Sequence, residues 1–156
     1  MKIPSDYEDL LRILNKHRVK YLIIGAYAVV YYTEPRYTKD LDIWIESSLE
    51  NAKRVYKALS EFGAPLEGIK IEDFTNPKLV YQIGVEPVRV DILMGAGNLK
   101  FDIAWKRRKR VVFSENLKVN LIGLEDLIKL KEKANRYMDK RDSEELKYVK
   151  RKKLKK

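Results

Sequence analysis

Apolar residues recur along this chain at two periods, and the switches between them outline a mixed architecture of helices and strands. Leu10, Leu11, Ile13 and Leu14 fall on one helical stripe running to about Lys16, and Ser5 with Glu8 three residues on forms a capping box at its start. Lys20 to Ile24 is a short apolar run that reads as a buried strand ending at Gly25. The spacing predicts a short helix over Ala26 to Tyr32, broken at Glu34-Pro35. From Asp40 to Glu46 the period is two: Leu41, Ile43 and Ile45 point one way, and Asp40, Asp42 and Trp44 the other. A second amphipathic helix follows, capped by Ser47 or Ser48, striped by Leu49, Ala52, Val55, Tyr56, Leu59 and Phe62, and stopped by Gly63.

Beyond it, Ile69 to Phe74 reads as a strand, and Leu79 to Ile83 and Val88 to Leu93 as a hairpin joined through Gly84 to Pro87. Phe101 to Arg108 is expected to be helical, and Arg110 to Ile122 to hold one or two strands. Leu124 to Asn135 is a helix with Glu125 and Asp126 in its first turn, where they suit the helix dipole. A last helix runs from about Asp139 into a basic tail. Neither a repeat nor a linker divides the chain. The expectation is therefore one unit over residues 1–156, of class α/β (α+β): a small mixed sheet flanked by helices, with 123–156 a C-terminal helical segment.

Composition narrows the chemistry. A chain of 156 residues, 45% hydrophobic and 36% charged, suits one globular domain. The absence of Cys removes disulfides, thiolate metal sites and thiol catalysis, and a single His (His17), read as a surface residue of the first helix, removes most imidazole chemistry. Asp, Glu, Lys, Arg and Tyr remain. No apolar run approaches the ~20 residues of a membrane span, and Met1 opens no basic-then-apolar leader, so a cytoplasmic protein without membrane partners is expected. The richness in Lys, Glu and Arg with one Gln (Gln82) matches the compositional bias of thermophiles.

The net charge of +10 is concentrated in two places. One is the run Lys106, Arg107, Arg108, Lys109, Arg110. The other is the tail with Lys147, Lys150, Arg151, Lys152, Lys153, Lys155 and Lys156. The remainder is close to neutral. Such patches suit a polyanion, RNA above all, through release of condensed counterions; the plainer alternative is a charged turn and a solvated helix end.

Three carboxylates carry the candidate chemistry. Asp40 and Asp42 lie two apart on a strand, so both leave one face about 6.6 Å apart, at ~3.3 Å per residue. Asp91 sits in Val88-Arg89-Val90-Asp91-Ile92, on another expected strand. Converging at neighbouring strand ends, the three would repel one another unless a cation sat among them. Oxygen-only ligands select hard ions, Mg2+ or Mn2+, and two such ions ~3.5–4 Å apart can clamp the attacking and leaving oxygens of a phosphoryl or nucleotidyl transfer. A lone Asp-x-Asp is ordinarily the wet face of an amphipathic strand. Here it follows a strand-to-glycine-to-helix turn at Ile24-Gly25-Ala26, where backbone N–H groups and a helix N-terminus favour phosphate.

Taken together, Ile24-Gly25-Ala26, thirteen residues, Asp40-Leu41-Asp42-Ile43 and the later Asp91 resemble the signature of the nucleotidyltransferase superfamily, the polymerase-beta-like fold. Arg36-x-Thr38-Lys39 before the acidic pair, Glu125-Asp126-Leu127-Ile128 through Lys131, and Arg136-x-x-Asp139-x-x-Asp142 are similar to small bacterial and archaeal members akin to the AbiEii-type toxin group. The resemblance implies transfer of a nucleoside monophosphate from an NTP to an RNA (a tRNA among them) or protein acceptor, with pyrophosphate released. It implies that Asp40 and Asp42 hold both metals, and that Asp91 ligands the catalytic one and helps activate the acceptor hydroxyl. Gly25 and the Ala26 and Tyr27 amides are implied to cradle the triphosphate, with Lys39, Lys131 or Arg136 neutralising phosphate charge. Ala26 departs from the family pattern by offering no hydroxyl to phosphate. Tyr27, Tyr31 and Tyr32 are read as core or half-core residues.

A toxin-like role implies a cognate antitoxin-like protein, and a fold this small leaves one side of its cleft for such a partner or a second copy to complete. The competing reading is a non-catalytic module of the same fold that binds nucleic acid or a protein. A glycosyltransferase is disfavoured because only 39 residues precede Asp40, and an Asp-nucleophile phosphatase because Trp44 stands where Thr or Val is expected. The enzymatic reading requires Asp40, Asp42 and Asp91 to meet beside Gly25; it collapses to a non-catalytic scaffold if Asp91 points elsewhere or is engaged by a permanent arginine partner.

Overall fold

A computed structural model describes residues 5–85, 88–134 and 137–154. Its elements are α1 (Ser5–Lys16), β1 (Tyr21–Ile24), α2 (Gly25–Tyr32), β2 (Asp40–Ile45), α3 (Leu49–Phe62), a 3-10 helix (Ile71–Thr75), β3 (Val80–Val85), β4 (Val88–Leu93), α4 (Phe101–Lys106), β5 (Lys109–Ser114), β6 (Leu117–Leu121), α5 (Leu124–Ala134) and α6 (Tyr137–Leu154). The strands form one six-stranded sheet in the order β3-β4-β2-β1-β6-β5. It is mixed: β1–β2, β3–β4 and β5–β6 pair antiparallel, whereas β2–β4 and β1–β6 pair parallel. The expected fold class is therefore the one observed.

The centre of the sheet holds its most apolar strands. All four residues of β1 are buried, as its unbroken apolar run requires of a strand covered on both faces. In β2, Leu41, Ile43 and Ile45 are sealed on one side as the alternation predicts. On the other side Trp44 is 1% exposed, because α4 lays Phe101 edge-on against it at 5.1 Å and stacks Trp105 on Phe101 at 5.8 Å. That cover stops short of Asp40 and Asp42, which remain partly exposed. Among the described residues no helix is long and apolar enough to cross a membrane.

Caps account for the firmest boundaries. Ser48 Oγ accepts the Asn51 N–H at 3.2 Å to start α3, and Gly63, at φ 90°, ends it with its N–H on the Leu59 carbonyl. Elsewhere the structure corrects the expectations. Ile69 to Phe74 is no strand: Asp73 accepts the Lys70 N–H at 2.9 Å and Thr75 Oγ1 bonds the Glu72 carbonyl, local bonds that favour a 3-10 turn over a sheet ladder. Its Phe74 packs against Tyr56 and Tyr81. The one or two strands expected over Arg110 to Ile122 are two, β5 and β6, turned at Asn116 with φ 57°. Leu49 is half exposed rather than part of the buried stripe. Residues 1–4, Glu86 and Pro87 of the expected hairpin connection, Arg136, the Lys153 side chain, and Lys155 and Lys156 lie outside the described residues.

Asn51, buried in the first turn of α3, ties the helix to both central strands. Its Oδ1 accepts the Lys20 N–H at 2.8 Å, and its Nδ2 donates to the Lys20 and Glu46 carbonyls at 3.0 and 2.8 Å. An Asn51→Ala variant takes this partner from the Lys20 N–H and the Glu46 carbonyl, and its urea unfolding midpoint is expected to report a loss of about 1–3 kcal/mol with an unchanged slope.

Candidate active site

Strand register brings the carboxylates together. In the parallel β2–β4 pair, Asp42 stands opposite Asp91 and Asp40 opposite Arg89, while across β2 the antiparallel partner of Asp42 is Ile24. The Gly25 turn thus lies beside Asp42. Gly25 has φ +72°, and a Cβ placed there would stand 2.1 Å from Asp42 Oδ2 and 2.9 Å from its Cγ. Only glycine supplies both that backbone angle and that clearance. The helix N-terminus behind it receives no side-chain cap from Ile24 and has no acid in its first turn, so its N–H groups keep their capacity for an anion. Tyr27 turns its ring into the core, edge-on to Tyr7 at 5.7 Å and 6.0 Å from Phe113. Only its amide is available to a phosphate.

The three aspartates and Gly25 line a cleft of about 540 Å³ that also contains Arg89, Lys131, Lys133, Asp139 and the glycine-rich Gly95-Ala96-Gly97 turn after β4. This lies within the ~300–1,000 Å³ typical of small-molecule sites. The proton affinity of Asp42 reflects its surroundings: burial first, then the charges of Asp91 and Asp40, push its carboxyl up to about 6 against the weaker pull of Lys131 and Arg89.

Arg89, which sequence reasoning passed over, sits among the acids. Its Nη2 stands 2.9 Å from Asp40 Oδ2 and 3.4 Å from Asp91 Oδ2, and its Nε 3.3 Å from Asp91 Oδ1. A position two before Asp91 on a strand shares its face, which is the signal that could have found it. Asp91 Oδ1 is buried and accepts no hydrogen bond despite that neighbour. As arranged here, no three Asp, Glu, His or Cys side chains among the described residues are grouped to hold an ion. The donor set still fits a hard divalent cation: three carboxylates on one sheet face, one with a buried oxygen accepting no bond and another held against bare glycine backbone.

One wall of the cleft is a buried ion network. Lys131 of α5 lies 3.3 Å from both Asp139 and Asp142 of α6, and Asp142 takes both amino groups of Arg36 at 2.8 and 3.1 Å. The segment before β2 is thereby fastened to α6, across 106 residues of chain. Lys39 is exposed, and the described cleft lining does not include it.

The basic run is divided by the fold. Arg107 pairs with buried Asp126 at 3.2 Å, Arg108 lies 3.7 Å over the Trp105 ring, Lys109 lies 5.4 Å over Tyr32, and Arg110 bonds Asn120 at 2.9 Å. Adjacent residues of a strand face opposite ways, so Lys109 and Arg110 of β5 do not share a surface. Lys106 and Arg151 are exposed; Lys147 and Lys150 join α6 to Glu132 and Glu125 of α5, and Lys152 lies over Tyr148. Tyr32 is core, bonding the Ile122 carbonyl at 2.7 Å, but Tyr31 is 48% exposed. His17, partly buried, meets Glu61 at 3.1 Å.

Two variants test this geometry. Because the Asp42 carboxyl is raised to about 6 from 3.8, the native state binds the extra proton, and its contribution is fully present below about pH 4 and lost as pH rises through about 6. Asp42→Asn is therefore expected to be more stable than wild type by about 2–3 kcal/mol at pH 7.5 in EDTA, the difference shrinking toward pH 4 in parallel denaturant titrations. Gly25→Ala, forced into positive φ and onto Asp42 Oδ2, should lower stability by at least about 1–2 kcal/mol in the same assay.

The comparisons with known proteins bear on the family and the fold. The family model described as "Nucleotidyl transferase of unknown function (DUF2204)" matches residues 4–156. A search of curated proteins found no match. Among solved structures, the fold is similar to that of a protein from Thermotoga maritima (TM1012) whose crystal structure is described as that of a "putative nucleotidyltransferase". The TM-score is 0.58 at 16% identity, over 90% of this chain and 91% of that one. At that identity the likeness concerns the fold. The family match spans nearly the whole chain, and with it this protein belongs to the nucleotidyl transferase family so described, within the nucleotidyltransferase superfamily.

Proposed function

We propose that this nucleotidyltransferase moves a nucleoside monophosphate from an NTP to a hydroxyl of a nucleic-acid acceptor, RNA in the first instance, with Asp40, Asp42 and Asp91 as its catalytic carboxylates. The observation that carries the reading is the placement of Asp42 opposite Asp91 on parallel strands, directly beneath the Gly25 turn. In the reaction, a bond forms between the acceptor oxygen and the α-phosphorus as the bond from that phosphorus to the β-bridging oxygen breaks. Pyrophosphate departs, and the hydroxyl proton passes to the carboxylate of Asp91. The Gly25, Ala26 and Tyr27 amides at the start of α2 hold the triphosphate, and Lys131, fixed by Asp139 and Asp142, offsets its charge from the opposite wall. Asp40 and Asp42, with Asp91, would hold Mg2+ or Mn2+, which supplies charge neutralisation for the attacking and leaving oxygens.

Acceptor choice rests on charge. The +10 balance and the exposed cations Lys106, Arg110 and Arg151 favour a polyanion. The toxin-like role and a cognate protein partner have the motif resemblance alone behind them. The non-catalytic reading has one observation in its favour, the Arg89 contacts to Asp40 and Asp91.

Incubation with α-labelled NTPs, Mg2+ and total RNA is expected to label RNA and release pyrophosphate. Asp42→Ala and Asp91→Asn should each reduce this by at least about 10²-fold, and EDTA should abolish it. Calorimetric titration showing no binding of Mg2+ or any NTP to the wild-type protein would sink the proposal.

A further inference from the structure

We infer that Arg89 is a nucleotide-contact residue that exchanges its two carboxylate partners for phosphate oxygens when the site loads; this rests on the nucleotidyl-transfer reading above. A guanidinium presents a planar fork of donors that matches carboxylate and phosphate alike, so one side chain can serve both partners in turn. Arg89 is placed to do so. It lines the same cleft as Gly25, Lys131 and the three aspartates, and its side chain is 30% exposed rather than sealed among them.

Its contacts with Asp91 are longer than those of a close ion pair. The contact to Asp40, at 2.9 Å, has ordinary hydrogen-bond length. The contacts to Asp91 are 3.4 and 3.3 Å, and Asp91 Oδ1 accepts no hydrogen bond. Compare Arg36, whose two amino groups meet Asp142 at 2.8 and 3.1 Å around an almost fully buried carboxylate.

Charge supplies the reason for the exchange. Three neighbouring carboxylates repel one another, and Arg89 together with Lys131 offsets part of that repulsion. With a divalent cation in the carboxylate cluster, the guanidinium would face a like charge at contact distance, while a triphosphate on the Gly25 turn offers it anionic oxygens in the same cleft. The positive charge then changes partner without leaving the site. Lys131, held between Asp139 and Asp142, adds its charge from the opposite wall without such an exchange of partners.

The two halves of this exchange have opposite signs in one variant. By calorimetry, Arg89→Ala is expected to bind Mn2+ in the absence of nucleotide about 5–10-fold more tightly than wild type, since no ion pair has to break. The same variant should bind the Mg2+ complex of the preferred non-hydrolysable α,β-methylene NTP analogue, chosen by screening all four bases, about 10-fold more weakly. Arg89→Lys, which keeps the charge and loses the fork, should recover part of the nucleotide affinity. If Arg89→Ala does not fold, Arg89→Gln is expected to give the same two signs. Tightening of both ligands would make Arg89 a permanent block, and weakening or constancy of both would make it structural; either result overturns the inference while leaving nucleotidyl transfer in place. Wild-type protein that binds neither Mn2+ nor any analogue removes the underlying reading, and this inference with it.

Discussion

The approach of Asp42 to the backbone of Gly25 is the contact on which the rest of the site depends. A carboxylate oxygen occupies the space where any other residue would carry its Cβ. Antiparallel pairing of β1 with β2 puts Ile24 beside Asp42, and the positive φ of Gly25 turns the chain straight from strand into helix. Had β2 slipped by one residue, its apolar and acidic faces would have exchanged places, so burial of Leu41, Ile43 and Ile45 fixes the acids on the opposite face. Core packing and site geometry are here the same constraint.

Electrostatic repulsion is the cost of that geometry, and the fold meets it with two cations of different character. Arg89 reaches the acids from within the strand that carries Asp91. Lys131 approaches from α5, steadied by two α6 aspartates, of which Asp142 also anchors Arg36. A buried ion network of this kind is weak evidence of stability. Its consequence here is positional: it clamps the segment leading into β2 against the C-terminal helices and closes one wall of the cleft.

The surface charge has a more divided role than its clustering suggests. Arg107, Arg108, Lys109 and Arg110 lie consecutively in sequence but meet a carboxylate, an indole ring, a phenol ring and an amide. Lys147 and Lys150 join α6 to α5. Much of the positive charge is thus engaged in holding helices and strands together, and what is left for a polyanion is smaller and more dispersed than a count of lysines and arginines implies.

Much of this architecture was legible in the sequence. Period-two alternation set β2 and its acidic face, helical stripes set α1 and α3, and Ser48 and Gly63 set the ends of α3, because each depends on residues within a few positions of one another. The glycine turn and the Asp-x-Asp pair were local too, which is why the family could be read from them. The misread segment, Ile69 to Phe74, failed because side-chain bonds from Asp73 and Thr75 outweighed its apolar content. Tertiary structure alone decided the rest. Parallel pairing across 49 residues put Asp40 beside Arg89, a contact 106 residues apart tied Arg36 to Asp142, and α4 covered Trp44 while leaving its acidic neighbours open. Such partners are chosen by where strands and helices meet in space, and a one-dimensional pattern records what each residue can do without recording which distant residue it will face.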